Sequence, residues 1–414
     1  MPATPPGAVP PTPRRVPRPP AADPLTAFTE AEIAACAAYA RPRRRWGFAA
    51  LGFDLLLLAG LALTPPGRTV VRALGAPFTE WVPGRAVLVT AGVAALQALA
   101  GLPFNLRTWR QDVRAGLSTQ DLPAWLADWA KARAVGVVLT TAGVAGLILA
   151  ARGLPGHPLT TAAGAAALVA VLSLAGPVVL EPLFNRFTPM EPGPVRDAVL
   201  ATAARMRVPV AEVLVADASR RTTRVNAYVS GLGRTRRVVV YDTLAGRAAP
   251  GELLLVLAHE LAHVRHRDVA WGTAGMAAAA GLGVIAADLA FGTDAVRSLF
   301  DLGGLGDPLA APALLLLGAV TGLLLAPAGS GISRWSEARA DWAALEARRD
   351  PESAAAVERR LALDNRADLR PNPLLTFWFA SHPPVMARIA QARLWAGRQD
   401  ATSAPDGRNR HDHQ

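Results

Sequence analysis

The chain has 414 residues, a formal net charge of +11 and 51% apolar residues, and only seven histidines and one cysteine, Cys36. A lone cysteine excludes an internal disulfide and a cysteine metal site. The basic excess is nearly all arginine and is unevenly placed around the apolar stretches, where membrane topology accounts for it without any nucleic-acid partner.

Residues 1–24, "MPATPPGAVPPTPRRVPRPPAADP", are rich in proline and nearly devoid of large apolar side chains. They are expected to be extended and unfolded, with no cleavable signal peptide. "DPLTAFTEAEIAACAAYA" follows and reads as a short amphipathic helix with Thr29 as its cap. Six stretches then approach the roughly 20 apolar residues needed to cross a bilayer. They run from Trp46 to Thr64, Arg85 to Leu102, Val135 to Ala151, Thr160 to Leu180, Val269 to Phe291 and Leu309 to Ala326. Their Ala, Gly, Leu and Val content suits close packing of helices in a bundle. Asp54 and Asp288 are acidic positions within spans. They could line a wet chamber or sit near helix ends.

Arginines crowd before the first span ("RPRRR", 41–45) and after the second, fourth and sixth, all on one side if the spans alternate. The positive-inside rule makes that side the cytoplasm and puts both termini there. The composition, with one lysine (Lys131) against many arginines, suggests a GC-rich bacterial genome, so the expected location is the bacterial cell membrane.

Two polar segments, 183–268 and 327–396, flank spans five and six and are expected to form one split domain. In the first, "PVRDAVLATAARMRV" has helical spacing, and "EVLVAD" and "RRVVVYD" are short β-branched runs. "SGLG" between "VNAYV" and "RRVVVYD" supplies the glycines of a hairpin turn. "PGELLLVLAHELAHVRHRD" returns to helix, with Pro250 at its start. The final stretch, 397–414, reads as an unfolded tail whose His411 and His413 are solvated.

On a helix, His259 and His263 are one turn apart on the same face and can hold one metal ion. Glu260 beside them can take a proton from an attacking water without being a ligand, the zincin arrangement. A catalytic zinc needs a third protein ligand and an open position. Glu337 in "SRWSEARADWAAL", on a helix beginning after span six, is the best candidate, with Asp341 one turn later placed to fix a ligand histidine's tautomer. His266 lies beyond the motif and is assigned no metal role.

From about residue 100 to 395 the chain resembles the type I CAAX prenyl proteases, integral-membrane zinc endopeptidases, and their heat-shock membrane protease relatives. The likeness rests on "GLPFNLRTW", "LSTQDLPAWLADWAKA", "EPLFNRFTPMEPGPVR", "VLVADASRRTTRVNAYVSGLGRTRRVVVYDTL", "HELAH", "SRWSEARAD" and "SHPPVMARI" in that order. It implies one zinc ion per chain on His259, His263 and Glu337, with Glu260 as general base. Asn226 and Tyr228 of "NAYVSG" would bind extended substrate, and His382 and Arg388 would stabilise the tetrahedral intermediate and bind substrate. Unlike eukaryotic members, the chain has only its Pro-rich leader where they have an extra N-terminal span, and a short connection between hairpin and HELAH.

The expected architecture is thus a mainly α, polytopic membrane protein of about six spans, with a split zincin-like metallopeptidase domain carrying a small β-hairpin or sheet. Its expected divisions are a leader (1–24), spans one to four with the preceding helix (25–182), the two domain parts (183–268 and 327–396) around spans five and six (269–326), and a tail (397–414). The expected activity is hydrolysis of hydrophobic or lipid-modified peptides at the bilayer. A quality-control protease for membrane proteins and a non-catalytic membrane scaffold are the alternatives.

Overall fold

The computed structural model describes residues 9–403 except 14, 155, 156 and 232. Its helices and strands run in the order α1 (Glu30–Leu63), α2 (Pro65–Leu74), α3 (Val82–Arg114), α4 (Leu122–Gly153), α5 (His157–Ala175), β1 (Phe187–Pro189), α6 (Pro194–Arg205), β2 (Glu212–Ala216), β3 (Ala227–Ser230), β4 (Arg237–Tyr241), α7 (Asp242–Ala245), α8 (Pro250–His266), α9 (Asp268–Phe291), α10 (Asp294–Phe300), α11 (Ala311–Arg348), α12 (Pro351–Asp364), α13 (Pro373–Phe379) and α14 (Val385–Ser403).

Among the described residues six helices, α1, α3, α4, α5, α9 and α11, are long and apolar enough to cross a membrane. They leave large apolar side chains on the outside, among them Leu56 at 73%, Leu289 at 69% and Leu324 at 67% exposure, which water would disfavour and lipid accepts. The protein is a multi-span membrane protein. Inside the bundle, Leu58, Val89, Val93, Ile148 and Phe291 share a buried apolar cluster. The acid of Asp54 on α1 accepts a hydrogen bond from Gln97 on α3 at 2.9 Å, so this intramembrane carboxylate is partnered within the bundle.

Helices α1, α3, α4 and α11 run well beyond the spans predicted from sequence. Thr29 caps α1 through a capping box with Glu32, as its position suggests, but the helix does not stop before the first span. It passes through Pro42, which forfeits one backbone hydrogen bond. Tertiary contacts outweigh that loss: Ile33 and Cys36 are buried with Met386 and Ile389 of α14, and Tyr39 and Arg43 both bind Asp112 at the end of α3. In the same way α11 is one 38-residue helix running through Pro327, so Glu337 lies on the continuation of the span-six helix and not on a separate one.

Between α5 and α8 lies a four-stranded sheet of order β1-β2-β4-β3, with β2 and β4 parallel and the outer pairs antiparallel. The predicted hairpin is the β3–β4 pair, in register from Ala227 opposite Val240 to Ser230 opposite Arg237. Its turn needs Gly231, at φ +84°, where a Cβ would lie 2.6 Å from the Thr235 carbonyl oxygen. Strand β3 is an edge of this sheet.

One face of the sheet packs on α8. Leu257, Ala258, Leu261 and Ala262 have no exposed surface and share a core with Ala227, Val238 and Val240. From the other side of the two membrane spans, α11 contributes Ala340, Ala343, Ala344 and Ala347 to the same core. Each buried leucine there contributes roughly 1.5–3 kcal/mol, so α8 is held firmly along its apolar faces.

The described residues between 9 and 23 contain no helix or strand, as their prolines dictate, but they are docked and not free. Val9 is only 5% exposed and belongs to the core around α8, the guanidinium of Arg265 donates to the carbonyls of Val9 and Pro10, and Val16 packs near Trp342 and Trp395. Proline loses little backbone freedom on docking, and a chain without internal hydrogen bonds leaves its carbonyls open to side-chain donors. At the other end, α14 continues to Ser403, into the stretch read as tail; His411 and His413 lie outside the described residues.

Candidate metal centre

Helix α8 presents His259 and His263 from the end of its buried stretch, and α11 brings Glu337 opposite them. One ligand atom from each of the three lies within 4.8 Å of the others. His259 Nε2 is 3.1 Å from His263 Nε2 and 3.2 Å from Glu337 Oε2, and His263 Nε2 is 3.5 Å from Glu337 Oε1. Nitrogen and oxygen ligands at about 2.0–2.2 Å in a tetrahedron would be about 3.3–3.6 Å apart, close to these separations.

The hydrogen bonds behind the rings show why a cation fits. His259 Nδ1 faces Asp341 Oδ1 at 2.8 Å, and His263 Nδ1 faces Asp268 Oδ2 at 2.9 Å. With each Nδ1–H directed to a carboxylate, both Nε2 atoms present lone pairs to each other and to Glu337. Glu337 Oε2 is buried without a hydrogen-bond donor. Burial alone would lower the pKa of His259, but the adjacent carboxylates of Asp341 and Glu337, which favour the protonated ring, outweigh it and push the value up to about 10. The negative charge around this ring calls for a cation, and a metal ion would displace a proton in binding.

A cavity of about 400 Å³ opens onto the cluster. His259, Glu260, Glu337, Asp341, His382 and Arg388 line it, Asn226 stands at its rim beside β3, and much of the remaining wall is apolar. Burial pushes the Glu260 carboxyl above its ordinary pKa, opposed by the neighbouring His259 and His263. His382 is 3.4 Å from Glu337 Oε1 through Nε2, while its Nδ1 pairs with the Ser381 hydroxyl at 2.9 Å. Its side chain is 61% exposed, and the part that is buried pulls its pKa down. Arg388 is different: only 16% exposed, it gives Nε and Nη2 to Asp341 and Nη1 to Glu358.

The sequence model of peptidase family M48 matches residues 189–396, half of the chain. The chain belongs to peptidase family M48. An uncharacterized metalloprotease of Bacillus subtilis, YhfN, is 32% identical to this M48 member over 218 residues, 52% of the chain and 51% of that protein. A CAAX prenyl protease 1 homolog of Arabidopsis thaliana is 32% identical over 176 residues, 42% of each protein. The matched region thus spans about half the length of these relatives or less. The crystal structure of S. mikatae Ste24p superposes with a TM-score of 0.78 over 90% of this chain and 91% of that one; at 18% identity, the likeness concerns the fold.

Tyr228, singled out with Asn226 in the sequence of this M48 member, is not brought to the cavity, and His263 joins the cluster through His259 and Glu337 without lining that cavity. Tyr228 packs with Phe187 and Tyr241 on the other face of the sheet, and its hydroxyl donates to Glu181 at 3.2 Å. The period of two along β3 sends Ala227 and Val229 toward α8 and Tyr228 away. Three further residues join the site: Asp268 behind His263, Ser336, whose hydroxyl donates to Asp268, and Glu358 behind Arg388. Asp268 is visible in "HELAHVRHRD", but at five residues from His263 it is off the ligand face of a straight helix. The left-handed Arg267 (φ 59°) that ends α8 turns it back.

Proposed function

We propose that this protein is a zinc-dependent endopeptidase acting at the membrane surface on hydrophobic or lipid-modified peptides. The observation that carries the reading is the convergence of His259, His263 and Glu337, each histidine backed by a carboxylate, on a cavity that also contains Glu260. Bound by these three residues, one zinc ion per chain would polarise the substrate carbonyl and acidify water.

The chain's own residues supply the remaining steps. Glu260 takes the proton of the attacking water and returns it to the leaving amine, and its apolar surroundings raise its basicity toward that task. The Ser381 hydroxyl on Nδ1 of His382 leaves Nε2–H facing the cavity, where it donates to the oxygen on which charge develops. Asp341 and Asp268 fix the two ligand rings, and Arg388, committed to carboxylates, acts through Asp341 and does not grip the substrate itself. An extended peptide adds to the free edge of β3 and passes Asn226 on its way to Glu260.

Residues 183–268 and 327–396 act as one catalytic unit, supported by their shared core. The arginine-rich loops favour a cytoplasm-facing site in a bacterial cell membrane. The test uses detergent-purified protein and Glu260→Gln with one CAAX peptide, farnesylated or unmodified, and products read by mass spectrometry. Cleavage of the farnesylated form alone, lost in the variant, fits a lipid-directed protease. Glu260-dependent cleavage of both forms would point to quality control of membrane proteins, and cleavage that survives Glu260→Gln would sink the mechanism.

A further inference from the structure

Two carboxylates from different helices share Arg388 of α14. Asp341 of α11 accepts from Nε at 2.8 Å and from Nη2 at 2.5 Å, and Glu358 of α12 accepts from Nη1 at 2.8 Å. All three side chains are nearly enclosed, with 12–17% exposure. Asp341 is in turn 2.8 Å from His259 Nδ1, so a continuous line of polar contacts, His259–Asp341–Arg388–Glu358, joins four helices behind the metal cluster.

Glu358 is not needed to neutralise Arg388, because Asp341 already does so with a two-point contact. A second enclosed carboxylate carries a desolvation cost of its own, and burial pushes the Glu358 carboxyl up to about 7 despite the adjacent guanidinium. What Glu358 supplies is direction. Asp341 grips one edge of the guanidinium and leaves it free to rock about that edge, while an acceptor on Nη1 holds the opposite corner. Arg388 Nη2 already lies 3.5 Å from His259 Nδ1, so a rocking guanidinium would compete with that ring for Asp341 Oδ1.

We propose that Glu358 is a positioning residue of this site: by holding the Nη1 corner of Arg388, it keeps Asp341 aligned on His259. The proposal rests on the peptidase reading above, and it assigns the glutamate's effect to reach more than to charge.

Glu358→Gln keeps the reach and an acceptor but removes the charge, whereas Glu358→Asp keeps the charge and withdraws the acceptor. Both are made in the detergent-purified full chain and assayed for zinc affinity by chelator competition and for kcat and KM on the farnesylated CAAX peptide. Because loss of an outer partner of a metal-ligating histidine typically costs 10–100-fold, Glu358→Asp is expected to lower zinc affinity and kcat by about 10-fold, with KM unchanged. Glu358→Gln should lose about threefold or less in each, on the same scale. The reverse order, with aspartate retaining function and glutamine losing it, would mean charge balance and overturn the proposal, as would two variants equal to each other. A wild-type protein that neither binds zinc nor cleaves the peptide would instead overturn the peptidase reading, an outcome distinct from any behaviour of Glu358.

Discussion

His263 Nδ1 is 2.9 Å from Asp268 Oδ2, across the left-handed Arg267 that separates α8 from α9. A histidine of the candidate metal cluster is thereby tied to the first residue of a membrane-spanning helix, and Ser336 of α11 donates to the same carboxylate oxygen. The cluster and the fifth span are mechanically one piece.

From this link, Asp268→Asn is expected to weaken zinc binding by about 10–100-fold. The amide can present NH2 to His263 Nδ1 and so favour the wrong tautomer. Chelator competition on the purified variant checks it, and unchanged affinity would detach Asp268 from the site.

His266 gives a pH dependence with a definite sign. Burial pulls its pKa down to about 4, opposed by Asp268 and aided by Arg339 and Arg265; its Nε2 pairs with the Thr12 hydroxyl, and its Nδ1 is buried without a partner. Between pH 6.5 and 4 the unfolded chain binds a proton that the folded one refuses, so stability falls as pH falls through that window. Thermal unfolding across the window should show a shallower loss for His266→Gln than for wild type. Parallel curves would rule out this histidine as a source.

The docked leader predicts that Val9→Asp destabilises the protein by about 1–3 kcal/mol, the cost of forcing a charge into an apolar site. Pro11→Ala, at an exposed position of the same segment, should leave the melting temperature in place. If both variants melt with wild type, the leader does not contribute to stability.

The contrast between these residues shows what a sequence exposes. The pairing of His259 with His263 was legible because one-turn spacing is local, and the six spans because hydropathy is cumulative; Glu337, distant in sequence, is brought beside the two rings only by the packing of α11 on α8. The uninterrupted α1 and α11 were hidden by Pro42 and Pro327, whose local penalty is overcome by tertiary packing. Val9 was hidden for the opposite reason: one apolar residue among prolines carries no pattern, and only the surface it meets makes it a core residue. Glu358 sits in the charged run "VERR", which reads as a solvated helix face until α14 closes over it. Tyr228 was placed with Asn226 by motif, but β3 turns Tyr228 to the face away from α8, while Asn226, which precedes the strand and escapes its alternation, lines the cavity.

The role proposed for Glu260 should separate chemistry from metal binding. Glu260→Gln is expected to lower kcat by about 10²–10⁴-fold, the usual range for a general acid–base group, with KM little changed. Peptide cleavage followed at saturating substrate measures it, and a large rise in KM with kcat intact would assign Glu260 to binding.

Metal content of the purified protein, by elemental mass spectrometry beside a protein assay, decides whether the three-residue cluster is a zinc site. Wild type and Glu260→Gln should each carry one zinc per chain, and His263→Ala and Glu337→Ala should each lose it while keeping the helical circular dichroism of the folded protein. Zinc-free wild type, or full zinc in a folded ligand variant, would contradict the account.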